Sequence, residues 1–249
     1  MQKPVTAPVL DLIDNFPAFG KAAPYLKKII TEHNYKLIAD IGGGANPVLD
    51  DEFIAKNNIR CFLIDKSTSE LNKAPPLYDK IEANASASND IFRKQIAGRK
   101  FDLIFSHMFL EHIENPMQAH RNFYSALNPG GRCVHIYPSP NNIPLTLNRL
   151  LPEAISGYLL RIAQPTRDLQ GSRRKFKAYY RMCGAPTPGL AAEFEAIGYT
   201  VRQHTGYIGH TYYERFKPLA IIERGLRKII FKLGLPLTSG CLLVLEKRT

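Results

Sequence analysis

Two aspartates and a run of glycines have types and spacing suited to ligand binding. Asp40 precedes Gly42-Gly43-Gly44 by two residues, and Asp65 follows Gly44 by 21 residues. A glycine turn between a strand and a helix lets a ligand approach backbone N–H groups and the helix N-terminus. The dinucleotide fingerprint fails because Pro47 occupies its third glycine position, and no Gly-Lys-Ser/Thr of a P-loop follows. A carboxylate at this turn disfavours a pyrophosphate and favours a cationic ligand.

S-adenosylmethionine has the expected charge, because it carries an ammonium and a sulfonium and no phosphate. Asp65 ends a predicted strand, where both of its carboxylate oxygens can hold a ribose diol. The alternative role for Asp65 is a helix N-cap, and Ser67 competes with it for that role.

Alternating strands and helices must position these residues. Short apolar runs predict strands at 36–41, 59–65, 78–83, 101–106 and 132–137, and helical spacing predicts helices at 21–34, from Pro47 onward and at 116–127. This alternation is typical of an open, doubly wound α/β sheet. After residue 137 the alternation stops, and it returns with a helix at 189–198 and strands at 199–205 and 240–247. We therefore predict one domain over 1–249, with an N-terminal helical segment at 1–35 and insertions at 138–188 and 206–239 that cap an acceptor site.

Five segments carry a family resemblance. The sequences IADIGGGANP, FLIDKS, IEANAS, FDLIFSHMFLEHIENP and ALNPGGR follow the order and spacing of class I S-adenosylmethionine-dependent methyltransferases of the small-molecule type. The chain resembles this family well over about residues 36–137 and more loosely over 189–247. The resemblance implies a Rossmann-like, seven-stranded, mostly parallel sheet whose last strand is antiparallel.

The resemblance also implies the residues that contact S-adenosylmethionine. The expected contacts are Asp40, Gly42, Gly43 and Gly44 for the methionine part, Asp65 and Lys66 for the ribose, Asn84 and Ala85 for the adenine edge, and Ser106 and His107 along the pocket. The family often has an acidic residue at the adenine position, where this chain has Asn84. An asparagine oxygen can still accept a hydrogen bond from the adenine amine.

Two histidines follow the strand that ends near Ser106. Methyl transfer is an in-line displacement on an activated sulfonium, so a base is needed only where the nucleophile is protonated. In SHMFLEHIE, His107 and His112 are the candidate bases, although His112 could equally pack against the sheet and Glu111 could be a structural hydrogen-bonding partner. The Asp/Asn-Pro-Pro-aromatic signature of amino-directed nucleic-acid methyltransferases is absent here, which favours an oxygen nucleophile.

The positive charge of the chain is unevenly distributed. Residues 1–139 hold 16 Lys/Arg and 15 Asp/Glu, whereas residues 140–249 hold 17 and 7. The basic, aromatic stretch SRRKFKAYYR can grip a phosphate and stack on a ring, or it can be a solvated helix face. We expect an anionic small-molecule acceptor, such as a sugar nucleotide, a phosphate-linked glycolipid or a related secondary metabolite. The predicted acceptor contacts are Tyr137, Arg173, Arg174, Lys177, Tyr180, His210 and Tyr213.

A basic amphipathic pattern at 218–234 predicts a helix that either lies on anionic lipid or packs in the core. The chain contains no run of about 18 apolar residues and no leader-like apolar segment at its start. Its four separated cysteines argue against a disulfide framework or a zinc site, so no metal is expected. These features predict a cytoplasmic protein, with peripheral contact at the inner membrane surface left open.

Two other functions stay open at this point. An RNA methyltransferase would use the basic second half of the chain, although no appended RNA-binding motif accompanies it. A binding or regulatory protein could keep the fold without turnover, which the intact Asp40, glycine and Asp65 set disfavours.

Overall fold

The computed structural model describes residues 9–14, 20–141, 177–209 and 217–248, and for 9–14 it describes the backbone. Its strands are β1 (Val9–Asp14), β2 (Leu37–Ile41), β3 (Arg60–Asp65), β4 (Asp79–Glu82), β5 (Phe101–His107), β6 (Leu127–Pro138), β7 (Tyr199–Gly209) and β8 (Gly240–Lys247). They form one sheet in the order β1-β7-β8-β6-β5-β2-β3-β4. Strand β8 is antiparallel to both β6 and β7, and the other pairs are parallel. The predicted seven-stranded sheet is confirmed in β2 to β8.

The eighth strand, β1, is a correction to the prediction of a helical segment at 1–35. Strand Val9–Asp14 pairs in parallel with β7, beginning with Val9 opposite Thr205. Its sequence, VLDLID, is too short to show a helical period, and the outer edge of β7 offers backbone groups that need hydrogen-bond partners. The edge of a distant strand, which local sequence cannot reveal, therefore decides the conformation of this segment.

Helices cover both faces of the sheet. They are α1 (Ala22–His33), α2 (Asp51–Lys56), α3 (Thr68–Leu71), α4 (Asn89–Gln95), a 3-10 turn (Leu110–His112), α5 (Pro116–Ala126), α6 (Pro188–Ile197) and α7 (Lys217–Lys232). Leu26 of α1 and Ile54 of α2 pack on one face, whereas Phe92, Phe123 and Phe194 of α4, α5 and α6 pack on the other. All four cysteines are buried and unpaired, as expected for small apolar side chains.

Two element boundaries differ from the sequence-based prediction. Helix α2 does not begin at Pro47, because the carboxylate of Asp50 accepts a hydrogen bond from the Phe53 N–H at 2.9 Å and caps the helix at Asp51. Strand β7 continues to Gly209, so residues 206–209 belong to the sheet and not to the second insertion. Pairing with both β1 and β8 supports this extension.

The strand order reverses between β2 and β5. Strand β3 lies on one side of β2 and β5 on the other, and the carboxyl ends of these parallel strands meet at one edge. A crevice at such a switch point is the usual ligand site of open α/β sheets. Asp40, Asp65 and His107 all lie at this edge.

Candidate active site at the carboxyl ends of the parallel strands

Asp40 is a buried carboxylate with an incomplete set of partners. Its side chain is 1% exposed. Its Oδ2 accepts a weak hydrogen bond from the Val48 N–H at 3.4 Å, and its Oδ1 has no hydrogen-bond partner. Burial, reinforced by the nearby negative charge of Asp65, raises the pKa of Asp40 to about 7. A cationic group brought beside this carboxylate would compensate for its lost hydration.

The glycine run lies in close contact with the two aspartates and with Phe109. A Cβ on Gly43 would lie 2.7 Å from the Asp40 carboxyl carbon, and one on Gly42 would overlap the Phe109 ring at 2.1 Å. Gly42 and Gly44 also have φ angles of 77° and 44°, which favour glycine. A hydrogen bond of 2.8 Å from the Gly42 N–H to the Ile64 carbonyl ties the turn to β3. The turn is therefore shaped by contacts that side chains would break.

Asp65 ends β3 on the far side of the glycine turn. Its Oδ1 accepts from the Ser67 N–H at 2.8 Å, and its Oδ2 lies 3.3 Å from the position of a Cβ on Gly44. Burial is the main cause that raises the pKa of Asp65. Ser67 is the N-cap of α3, because its Oγ accepts from the Glu70 N–H. Asp65 is thus not the helix cap, and one of its oxygens faces the turn.

The predicted adenine segment follows β4. Asn84 is exposed, and its Oδ1 accepts from the Ser86 N–H at 3.0 Å. Ala85 is buried, and its carbonyl accepts from Asn122 Nδ2 at 2.8 Å. An open groove of about 800 Å³ is lined by Asn84, Ser86, Glu114, Asn115, Pro116, Met117, Arg181, Met182 and Glu193. Of the predicted cofactor contacts, all of which lie in described segments, Asn84 alone lines this groove.

The segment after β5 contacts both the glycine turn and the described part of the first insertion. Phe109 contacts Gly42, while the Glu111 carbonyl accepts from the Tyr179 N–H at 2.7 Å. His112 Nδ1 donates to the Lys177 carbonyl at 3.0 Å, which leaves Nε2 3.7 Å from Glu111 Oε1. Glu111 is 4% exposed, its Oε2 has no hydrogen-bond partner, and burial raises its pKa to about 7. Glu111 and His112 therefore lie within ion-pair distance of each other.

The central part of this site matches a known family. The sequence profile of a methyltransferase domain matches residues 39–133, the part that includes Asp40, the glycine run and Asp65. Residues 39–133 are therefore similar to a methyltransferase domain. No functionally curated protein has a sequence that matches the chain.

Solved structures show the same fold as this chain at low sequence identity. A SAM-dependent methyltransferase from Clostridium acetobutylicum is 11% identical, with 91% of this chain and 90% of that chain covered and a TM-score of 0.51. The [4+2]-cyclase SpnF is 14% identical, with 99% and 88% covered and the same TM-score. The fold is therefore shared with a cyclase as well as with methyltransferases.

Ser106 does not open onto the crevice, contrary to the sequence-based prediction. Its side chain is buried, and its Oγ lies 2.8 Å from His135 Nδ1 on β6. Strand alternation places Ser106 on the face packed by α4 to α6, while His107 follows on the opposite face and is partly exposed. His135 is a buried core residue.

Tyr137 is also placed differently from the prediction that it contacts the acceptor. Strand β6 continues to Pro138, so Tyr137 lies inside the sheet opposite Cys241 and is fully buried. Its hydroxyl donates to the Gly184 carbonyl at 3.2 Å and lies 2.8 Å from His204 Nε2. The sequence predicted that Tyr137 lies at the open end of the strand. Because the strand is longer, Tyr137 instead belongs to a buried hydrogen-bond network.

The described part of the first insertion places two further predicted acceptor contacts. Lys177 is exposed, with its Nζ 4.7 Å from the centre of the Tyr179 ring. Tyr180 has a φ of 53° and packs against the core. The other predicted acceptor contacts, Arg173, Arg174, His210 and Tyr213, lie outside the described residues.

The contact of Phe109 with the glycine turn is one that the sequence reasoning missed. Gly42 has a positive φ, and the Phe109 ring occupies the space that a side chain at Gly42 would need. The two residues are 67 positions apart, so the local sequence gives no signal of this contact. Lys66, the other residue predicted at the ribose position, is exposed beside Asp65. Within the described ranges, no three His, Cys, Asp or Glu side chains cluster in a way that could hold a metal ion.

Proposed function

We propose that the chain is an S-adenosylmethionine-dependent methyltransferase that acts on an oxygen of a small-molecule acceptor. The observation that carries the proposal is Asp40, whose buried Oδ1 has no hydrogen-bond partner and whose carboxylate lies against the glycine turn. A buried carboxylate in this state favours a cation. The methionine ammonium of the cofactor is such a cation.

The residues present fit this cofactor. Asp40 and the glycine turn would hold the methionine part, and the Asp65 oxygen that faces the turn would hold the ribose with Lys66 beside it. Asn84 and Ala85 would flank the adenine, with Asn84 accepting from its amine. The bound cofactor supplies a methyl group activated on a sulfonium.

The chain contributes alignment and a proton acceptor. The crevice would orient an acceptor hydroxyl in line with the sulfonium methyl. An acceptor hydroxyl that takes the methyl group would lose its proton, which would pass to a base of the chain. His107 at the end of β5 and His112 after it are the candidate bases, and Glu111 would stabilise a protonated His112 from 3.7 Å.

The acceptor class is inferred from charge and from the segment after β5. The positive excess lies in residues 140–249, which hold 17 Lys/Arg and 7 Asp/Glu. Lys177 belongs to that region, and its backbone carbonyl binds His112, so the basic insertion ends beside the candidate base. This proximity supports an anionic acceptor, such as a sugar nucleotide or a phosphate-linked glycolipid, with Arg173 and Arg174 as further contacts.

Calorimetric titration with S-adenosylmethionine tests the cofactor role. We expect Asp65→Ala to weaken binding by about 10-fold or more, because two charge-assisted hydrogen bonds are lost. Wild-type affinity should fall as the pH drops below 7, where Asp40 with its pKa of about 7 becomes protonated, and Asp40→Asn should remove this dependence. Absence of binding, or an unchanged affinity in Asp65→Ala, would contradict the proposed function.

Turnover needs a separate test, because the fold is shared with a cyclase. Methyl-labelled S-adenosylmethionine is incubated with the protein and with cell-extract fractions that contain either small molecules or RNA. We expect label in an alkali-stable small-molecule product, lost in His107→Ala or in His112→Ala according to which is the base. Label in RNA alone would identify the RNA methyltransferase, and cofactor binding with no transfer would identify a binding protein.

A further inference from the structure

Helix α7 is attached to the sheet through a narrow and partly charged face. Ala220, Glu223 and Ile230 are buried, and Glu223 pairs with Arg227, whose side chain is 11% exposed. Ile230 packs with Ile208 of β7 and with Leu237. Among the described side chains of α7, the buried face therefore consists of one small residue, one aliphatic side chain and an ion pair within the helix itself, whereas a core helix usually buries a wide apolar face.

Four larger apolar side chains of α7 and of the turn after it are exposed. Ile222, Leu226, Ile229 and Leu233 follow one another at spacings of four, three and four residues, which places them on one face. Ile222 is 68% exposed, Ile229 56% and Leu233 64%. These four residues therefore do not pack in the core, which was one of the two roles that the sequence left open. Contiguous exposed apolar surface of this kind marks an interaction site.

The charges of α7 indicate the partner. Lys217, Arg224, Lys228 and Lys232 add four positive charges at exposed or partly exposed positions, while Glu223, the one acidic residue of the helix, is buried and paired with Arg227. An aliphatic stripe beside basic side chains complements the apolar interior and anionic headgroups of a membrane surface. A symmetric contact between two copies of α7 would instead bring like charges together.

We propose that α7 docks the protein on an anionic lipid bilayer. The stripe defined by Ile222, Leu226, Ile229 and Leu233 enters the headgroup boundary, and the basic side chains contact lipid phosphates. The helix lies along the surface. No helix in the described ranges is long and apolar enough to cross a membrane. The proposal does not rest on the proposed methyl transfer, since it uses no residue of the cofactor site.

Vesicle sedimentation with the full-length protein tests this docking. Vesicles of phosphatidylcholine alone are compared with vesicles that contain about one third phosphatidylglycerol, at low and at high salt. We expect binding to the anionic vesicles to be about 10-fold tighter or more, and to weaken at high salt. Equal binding to both vesicle types, or no binding at low salt, would overturn the proposal.

Paired variants separate the apolar and electrostatic parts. Ile222→Gln with Ile229→Gln should weaken vesicle binding by about 10-fold or more, and Lys228→Glu with Lys232→Glu should abolish the preference for anionic lipid. Ile91→Gln on α4 is the matched control, because Ile91 is an isolated aliphatic side chain with 54% exposure, and it should leave binding unchanged. Circular dichroism verifies that each variant is folded.

Other occupants of the stripe give distinct results. A wild-type dimer in light scattering that becomes a monomer in Ile222→Gln with Ile229→Gln, without any change in vesicle binding, would assign the stripe to a second copy. Tight binding of an RNA oligonucleotide that the lysine variants abolish, with vesicle binding unchanged, would assign the basic face to nucleic acid. Either result would overturn the membrane proposal, whereas the S-adenosylmethionine titration would be unaffected.

Discussion

The glycine turn and helix α7 depart from normal burial in opposite directions. At the glycine turn a carboxylate is buried without a full set of partners, whereas on α7 aliphatic side chains are exposed beside lysines. Both arrangements cost free energy in the isolated protein. A cation would compensate for the first and an apolar phase with anionic headgroups for the second. The comparison teaches that the unpartnered carboxylate and the exposed aliphatic stripe each indicate the chemistry of the ligand that would bind there.

A third departure from normal burial lies in the core and faces no opening. His120 of α5 is fully buried with both ring nitrogens unpartnered, and its ring centre lies 5.2 Å from that of His135. Phe123 and Phe194 surround it. We expect the unpartnered nitrogens of His120 to lower the free energy of unfolding, with no ligand to compensate for the loss. This difference from the glycine turn can be tested directly.

The largest expected effect is on the glycine turn. Gly43→Ala should weaken S-adenosylmethionine binding by about 10- to 100-fold, because its Cβ would lie 2.7 Å from the Asp40 carboxylate and displace it. Calorimetry measures the change. Gly189→Ala in α6 is the control, since its Cβ meets nothing within 4 Å and should leave affinity unchanged. Equal affinities in the two variants would show that the position of Asp40 does not control binding.

The second prediction concerns the buried histidine. Burial lowers the pKa of His120 to about 3, so below pH 6.5 the unfolded chain takes up a proton that the folded chain cannot. The free energy of unfolding should therefore fall from pH 7.5 to pH 5 by about 2 kcal/mol from this residue, and His120→Phe should remove that part. The raised pKa values of Asp40 and Glu111 act with the opposite sign, since they reduce stability as the pH rises toward 7.

Urea unfolding at the two pH values measures this difference. Phe123→Leu is the control, because it alters the same aromatic cluster without removing a titratable group and should keep the wild-type pH dependence. If His120→Phe kept that dependence as well, His120 would not be the group that costs stability at low pH.

The sequence predicted the glycine site better than it predicted the rest of the molecule, for a physical reason. The turn, Asp40 and Asp65 are set by local strand-to-turn chemistry, so their positions follow from spacing along the chain. Strand β1 and the burial of Tyr137 depend on pairing with β7 and β8, which are distant in sequence. The exposed stripe of α7 was ambiguous for the same reason, because one pattern of apolar residues fits both a core face and a lipid face.

Tyr137 supplies the third prediction, which separates the core from the acceptor site. Tyr137→Phe removes a hydroxyl bonded to the Gly184 carbonyl and to His204, so it should lower the free energy of unfolding by about 1 to 2 kcal/mol. The affinity for S-adenosylmethionine should stay the same. Tyr25→Phe, which removes one half-buried hydrogen bond to Gln203, should cost less. A raised acceptor KM with unchanged stability would restore Tyr137 to the acceptor site.

The smallest expected effect tests whether α7 is exposed to solvent as a helix on the sheet. Gly225 lies within this helix, and a Cβ at its position would meet nothing within 4 Å. Gly225→Ala should therefore raise the free energy of unfolding by about 0.5 to 1 kcal/mol through helix propensity alone, and vesicle binding should be retained. Gly98→Ala is the matched opposite: its Cβ also meets open space, but its φ of 67° strains alanine, so it should destabilise. A loss of stability in Gly225→Ala would mean that another part of the molecule covers this side of the helix, and the contrast between the glycine turn and α7 would then fail.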